Sequence, residues 1–113
     1  DKPLIIVRTE ELVSHAIDRL KKYNISQIPV IDSTGFVGSL DETDLFRSYV
    51  EDKNIAEKPI REIMGKPYPI VNANAPIEEI SKLINKDNQA VLVDLGNGKH
   101  HIITKHDIIS SIK

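Results

Sequence analysis

Ile28-Pro29-Val30-Ile31-Asp32-Ser33-Thr34-Gly35-Phe36-Val37-Gly38-Ser39-Leu40 is the stretch whose reading decides the fold. Two short apolar runs, Ile28–Ile31 and Phe36–Leu40, flank Asp32-Ser33-Thr34-Gly35, a cluster of turn formers. A strand–turn–strand with so short a connection predicts an antiparallel hairpin. Asp41-Glu42-Thr43-Asp44-Leu45 then opens a short helix with Leu45, Phe46, Tyr49 and Val50 on its apolar side. Upstream, Leu4–Val7 reads as a strand, β-branched at three of its four positions. Thr9 can cap the next helix, with Glu10 and Glu11 in its first turn, where the helix dipole favours negative charge. Leu12, Val13, Ala16, Ile17 and Leu20 make one apolar stripe at helical spacing, and Asn24 suits the exit.

The same order returns downstream. Ile70–Asn72 is a strand, and Pro76 fits the first position of a helix whose buried face is Ile77, Ile80, Leu83 and Ile84. Ala90–Val93 and His101–Thr104 flank a turn containing Gly96 and Gly98, and Lys105–Ile112 is the last helix. The landmarks keep their spacing: Val7 to Asp44 is 37 positions and Val71 to Asp107 is 36, while Asp32 to Asp44 is 12 and Asp94 to Asp107 is 13. The chain reads as two copies of one unit of about 55–60 residues. The first copy with its linker takes residues 1–57 and the second takes 58–113. The connecting stretch Glu51–Pro69 is polar and holds three prolines, with Ile60, Ile63 and Met64 suggesting a single helical turn. Neither copy can bury its helices and sheet alone at this size. The expected fold is therefore α+β, two β-α-β-β-α motifs packed with pseudo-two-fold symmetry through their sheets.

Composition narrows the function by exclusion. The 113 residues are 40% hydrophobic and 28% charged, with a net charge of -2, so no basic field attracts nucleic acid. Apolar runs of four or five residues cannot span a membrane. The absence of cysteine removes disulfides, thiol catalysis and thiolate zinc sites, and fits a cytoplasmic location. With two Phe, three Tyr and no Trp, there is no aromatic platform for single strands or sugars. The first residue is Asp1 rather than Met, so a piece of a longer protein is expected.

No catalytic constellation is present: no Gly-rich phosphate loop, no His-Glu-x-x-His and no Gly-x-Ser-x-Gly. Of the four histidines, His100 and His101 point to opposite faces of a strand and cannot share a metal simply. His15 sits beside the apolar stripe and is expected to be partly buried, and His106 lies in the last helix start. The informative feature is Ile103-Thr104-Lys105-His106-Asp107, a strand-to-helix junction. A Thr followed three residues later by an Asp fits two roles. It can be a capping box, or it can seat a ligand whose anionic part meets the helix start while the carboxylate accepts from vicinal hydroxyls. Asp41–Asp44 repeats the junction with a carboxylate in place of the hydroxyl.

Ile28–Asp32, Phe36–Asp44, Ile63–Val71 and Ile102–Ile108 together resemble a tandem pair of CBS domains, the Bateman module, over essentially the whole chain. More narrowly, residues 76–84 and 91–104 resemble the C-terminal regulatory region of microbial cystathionine β-synthases. The resemblance implies two clefts that take adenosine compounds: S-adenosylmethionine, AMP, ADP or ATP. By position, one cleft would use Thr104 and Asp107 with Met64, Pro69, Ile70, Asn88 and Gln89. The other would use Asp44 with Ile5, Ile25 and Ser26. Lys105 and the Thr104 hydroxyl suit an anionic tail, whereas Asp41 repels phosphate, making the Asp44 cleft weaker or suited to an uncharged or cationic tail such as a sulfonium.

The resemblance further implies a regulatory module with no intrinsic cofactor, no metal and no catalysis of its own. It would control an attached enzyme domain, a pyridoxal-phosphate-dependent lyase if the narrower resemblance holds, and form a homodimer. Leu45, Phe46, Ile108 and Ile109 serve equally as an interface or as packing between the copies. A structural dimerisation module with degenerate clefts is the competing reading, favoured by Asp41 and by Asp87 beside Asn88.

Overall fold

In the computed structural model, which describes residues 4–112, the hairpin is the centre of the first sheet. β2 (Gln27–Asp32) and β3 (Gly35–Asp41) pair antiparallel from Gln27↔Asp41 to Asp32↔Gly35, with a bulge between Val30 and Ile31. β1 (Val7–Arg8) runs parallel to β2 on its other side. α1 (Val13–Tyr23) crosses between β1 and β2, and α2 (Glu42–Glu51) follows β3. Ile28, Val30, Leu40, Val7 and Val13 are fully buried, each contributing about 1.5–3 kcal/mol of transfer free energy.

The second sheet has the same order and directions. β4 (Ile70–Asn72) is parallel to β5 (Ala90–Gly96), which is antiparallel to β6 (Lys99–Thr104); α3 (Ile77–Leu83) and α4 (Lys105–Ser110) fill the helical places. Its turn is Asn97-Gly98, both with positive φ (56° and 76°), the backbone that a two-residue hairpin requires. Val91 and Leu92 are fully buried on β5. Ile5–Pro67 forms one compact unit, and the chain from Tyr68 onward, joined by Leu4, forms the other.

Several local expectations are corrected. The first strand is not Leu4–Val7 but Val7–Arg8, extended by the Thr9 N–H donating to the Ile31 carbonyl at 3.1 Å. Only these residues lie opposite β2, so the apolar run before them has no ladder partner. Thr9 does not cap α1, whose first turn carries no acid. Instead Glu11 folds back to accept the Arg8 N–H at 2.8 Å and to pair with Arg19 at 2.8 Å, and Arg19 holds its carboxyl below the ordinary glutamate range. The Val13 N–H is taken by the Lys58 carbonyl at 2.9 Å. Pro76 stands just before α3 in an extended conformation rather than at its first position, and Ile77 is exposed while Ile80 is buried. His15 is half exposed, 3.6 Å from Glu11.

The connecting stretch is structured with the first unit. Single 3-10 turns at Ile55–Glu57 and Ile60–Glu62 bury Ile55 and Ile60 in its core. The Ile60 N–H donates to Glu11 and the Arg61 N–H to Thr9, at 2.9 and 3.0 Å, so a polar, proline-bearing segment is stitched down by its backbone.

Candidate functional site

Strand direction decides which residues gather. Because β1 and β2 are parallel and β3 returns, the entrances of β1 and β2 and the exit of β3 share one end of the sheet. That end of the first unit carries Ile5, Ile25, Ser26, Asp41 and Asp44. The same argument brings Pro69, Ile70, Asn88, Gln89, Thr104 and Asp107 to one end of the second sheet.

At the second junction the Asp107 carboxylate reaches back over α4. Its Oδ2 accepts from the Thr104 N–H at 2.8 Å and from the Thr104 hydroxyl at 3.1 Å, the arm of a capping box that runs back from the helix to its cap residue. Asn88 and Gln89 turn their amides inward on the loop before β5. Asn88 Nδ2 donates to the Leu83 carbonyl at 2.6 Å, and Gln89 Nε2 to that of Lys86 at 3.0 Å. The Pro69 carbonyl accepts the Leu92 N–H at 2.9 Å, leaving Ile70 half exposed beside it.

At the first junction the cap runs the other way. Asp41 Oδ1 accepts the Asp44 N–H at 2.7 Å, and the Glu42 N–H donates to the Ser26 carbonyl at 3.0 Å. The Asp44 carboxylate is left to Arg47, 3.1 Å away. Burial raises the Asp44 pKa above the ordinary aspartate value, and the neighbouring Asp41 charge adds to this against Arg47. Met64 belongs to this unit, packed against its core and over Gly38.

Two features escaped the sequence reading. Gly65 pairs with Ser39 on the open edge of β3. An open cleft of about 530 Å³ lies among α1, α2 and the turn at Ile55, walled by Ile17, Leu20, Leu45, Phe46 and Tyr49. Ile25 and Ser26 line it too, whereas Asp44 does not. The apolar side expected on α2 was its only signal, and of that side only Leu45 is buried; Phe46 is 71% exposed. Among the described residues, no group of three or more His, Asp or Glu could hold a metal ion. No helix among them is long and apolar enough to cross a membrane.

Two like sheets, each ending in a capped helix start, define a duplicated α+β fold, and the comparisons identify its class. The CBS domain family matches residues 1–51 and again 60–113, and the chain belongs to it. It is a tandem pair of CBS domains. The chain is 30% identical over 115 residues to inosine-5'-monophosphate dehydrogenase of Methanocaldococcus jannaschii, covering 99% of this chain but only 22% of that protein. The CBS-domain protein ATU1752 from Agrobacterium tumefaciens superposes with a TM-score of 0.83 at 18% identity, over 97% of this chain and 90% of that one. The CBS domain pair of protein MJ0100, crystallised with 5'-methylthioadenosine and S-adenosyl-L-methionine, superposes with a TM-score of 0.79 at 25% identity, over 97% and 92%.

Proposed function

We propose that this CBS-domain pair is a regulatory module that binds an adenosyl compound and thereby biases an attached enzyme domain. The observation that carries the reading is the recurrence, at the same end of both sheets, of a carboxylate three residues into a helix start, Asp44 and Asp107. A carboxylate there can accept from the two hydroxyls of a ribose. The likeness to a pair that holds methylthioadenosine and S-adenosylmethionine supports the ligand class. Thr104 and Asp107, with Pro69, Ile70, Asn88 and Gln89, form the preferred cleft, since Lys105 tolerates an anionic tail; Met64, assigned to this cleft from the sequence, packs in the first unit instead. Asp44 with Ile5, Ile25 and Ser26 forms the weaker one, because Asp41 opposes phosphate. No residue is assigned a catalytic role, and the ligand is an effector rather than a cofactor.

A thermal-shift panel with S-adenosylmethionine, AMP, ADP and ATP tests this. A ligand at a hundred times its Kd adds about 2.7 kcal/mol of stability. Asp107→Ala should remove most of the shift and Asp44→Ala less. No shift with any compound at millimolar concentration overturns the reading, and the reverse order of the two variants exchanges the clefts.

Phe46, Tyr49 and Val50, 71%, 48% and 62% exposed on α2, favour self-association through that helix. A module that dimerises with empty clefts is the second reading, and the same panel separates the two. The resemblance of residues 76–84 and 91–104 points to a cystathionine β-synthase as the attached domain. The similarity to an inosine-5'-monophosphate dehydrogenase favours that enzyme instead, and the coding sequence upstream of Asp1 decides between them.

A further inference from the structure

The tip of the β5–β6 hairpin carries Asn97-Gly98, and of the seven asparagines in the chain only Asn97 is followed by glycine. Both residues are exposed, between the two strands, with φ of 56° and 76°. Among the described residues, neither the Asn97 carboxamide nor the Gly98 N–H has a hydrogen-bond partner. Three other asparagines have their amides engaged: Asn72 Oδ1 accepts the Asn74 N–H at 3.0 Å, Asn85 Oδ1 accepts the Asp87 N–H at 2.9 Å, and Asn88 Nδ2 donates to the Leu83 carbonyl. Asn24, Asn54 and Asn74 are followed by Ile, Ile and Ala, whose Cβ atoms crowd the backbone nitrogen next to the asparagine.

At Gly98 that crowding is missing. Where a Cβ would stand, no atom beyond the chain neighbours lies within 4 Å. For the Gly98 nitrogen to face Asn97 Cγ, the peptide between them must rotate. An exposed two-residue loop with glycine second has the freedom for that rotation. Only the turn itself opposes the approach.

We infer that Asn97 is a site of spontaneous covalent modification, in which the Gly98 nitrogen attacks the side-chain carbonyl carbon and the residue becomes isoaspartate or aspartate. Asparagine is a thermolabile residue, and the step needs no reagent but water. Solvent base takes the Gly98 proton as the nitrogen bonds to Asn97 Cγ. The Cγ–Nδ2 bond breaks, and the amide nitrogen leaves as ammonia with a proton returned by solvent. Water then opens the cyclic imide at either carbonyl. One opening leaves aspartate in the ordinary chain; the other routes the main chain through Cβ and Cγ as isoaspartate. Either product adds a negative charge three positions from Asp94, whose Oδ1 already accepts the Gly96 N–H at 2.8 Å. Isoaspartate also lengthens the loop by one main-chain carbon. The inference is independent of the adenosyl reading of the clefts.

The test is to age the folded, full chain in mildly alkaline buffer and to map its proteolytic fragments by mass spectrometry over weeks, with isoaspartate scored by fragmentation. Asn97 should convert at least tenfold faster than any other asparagine, with isoaspartate among the products. Gly98→Ala should slow the conversion at least tenfold. Because alanine is strained at this positive φ, Asn97→Gln supplies a second reading: the acidic species that accumulates on ion exchange of the unaltered chain should be absent from this variant. Conversion of Asn97 in the urea-unfolded chain but not in the folded one would show that the turn protects the amide, and overturns the inference. Conversion spread evenly over the asparagines, or undiminished acidic species in Asn97→Gln, overturns it as well.

Discussion

In the first unit the residue ending β3 is the acceptor: the Asp41 carboxylate takes the Asp44 N–H, and the Asp44 carboxylate is left over. In the second unit the direction reverses: the Asp107 carboxylate takes the N–H and the hydroxyl of Thr104. Both solve the problem that a helix start leaves backbone donors unpaired. They differ in what remains for an outside partner. Asp44 keeps both oxygens outside the cap but carries a second carboxylate at its side. Asp107 spends Oδ2 internally, so a ligand there uses Oδ1 or displaces the cap. On the proposed adenosyl reading, charge favours the Thr104/Asp107 cleft for nucleotides, while the uncommitted carboxylate favours the Asp44 cleft for uncharged adenosyl compounds.

The units also differ in cohesion. Among the described residues the first buries Val7, Val13, Ala16, Leu20, Ile28, Val30, Leu40, Leu45, Ile55 and Ile60; the second buries Tyr68, Ile80 and Ala90–Val93, and α4 buries none. The largest expected effects come from cutting these cores. Ile28→Ala and Leu92→Ala should each cost about 2–5 kcal/mol in denaturant titrations, as truncations of fully buried side chains do. Hydrogen exchange should then separate the units: Leu92→Ala accelerates exchange in β4–β6 while β1–β3 keep their protection. Uniform acceleration would show that the units open together, and the comparison of cohesion would be broken.

What the sequence disclosed follows from how local each signal is. The β2–β3 hairpin, the left-handed Asn24 exit with φ of 52°, and the capped helix starts depend on neighbours a few residues away, and all were legible. The start of α1 was not, because its first N–H is paired with Lys58, forty-five positions on. Strand β1 was misplaced for a like reason: its limits are set by Val30 and Ile31, not by its own hydrophobicity. The duplicated gathering of strand entrances and exits was legible in the repeat. The Gly65–Ser39 bridge was not, since it exists only where the connecting segment meets β3, and the inward use of Asn88 and Gln89 depends on loop carbonyls that no pattern announces.

The opposed caps make a smaller prediction. Asp41→Ala removes the side chain that accepts the Asp44 N–H and should cost about 1 kcal/mol. Thr104→Ala leaves the backbone N–H still donating to Asp107, so it should cost only about 0.5 kcal/mol. Paired thermal melts of the two variants measure the difference. Equal losses would mean that the reversed direction of the caps has no energetic consequence.

The smallest effect is the pH dependence that Asp44 contributes. Its pKa is raised in the folded chain, by burial first and by the Asp41 charge second. The folded state therefore holds this proton more tightly than the unfolded state does. Stability from this group is present at low pH, declines as pH rises from the ordinary aspartate value through the raised one, and is level above. Glu11, with its pKa lowered chiefly by the Arg19 hydrogen bond, contributes in the opposite sense, as stability lost when pH falls. The two overlap in acid, so a single melt series cannot separate them. The difference between the unaltered chain and Asp44→Asn isolates the Asp44 part, because Glu11 is common to both. The variant should gain in relative stability as pH climbs out of the acid range, then run parallel to the unaltered chain at neutral pH. A difference that is flat throughout would mean that neither burial nor the Asp41 charge shifts Asp44. The crowding of carboxylates that sets the first junction apart from the second would then be without effect.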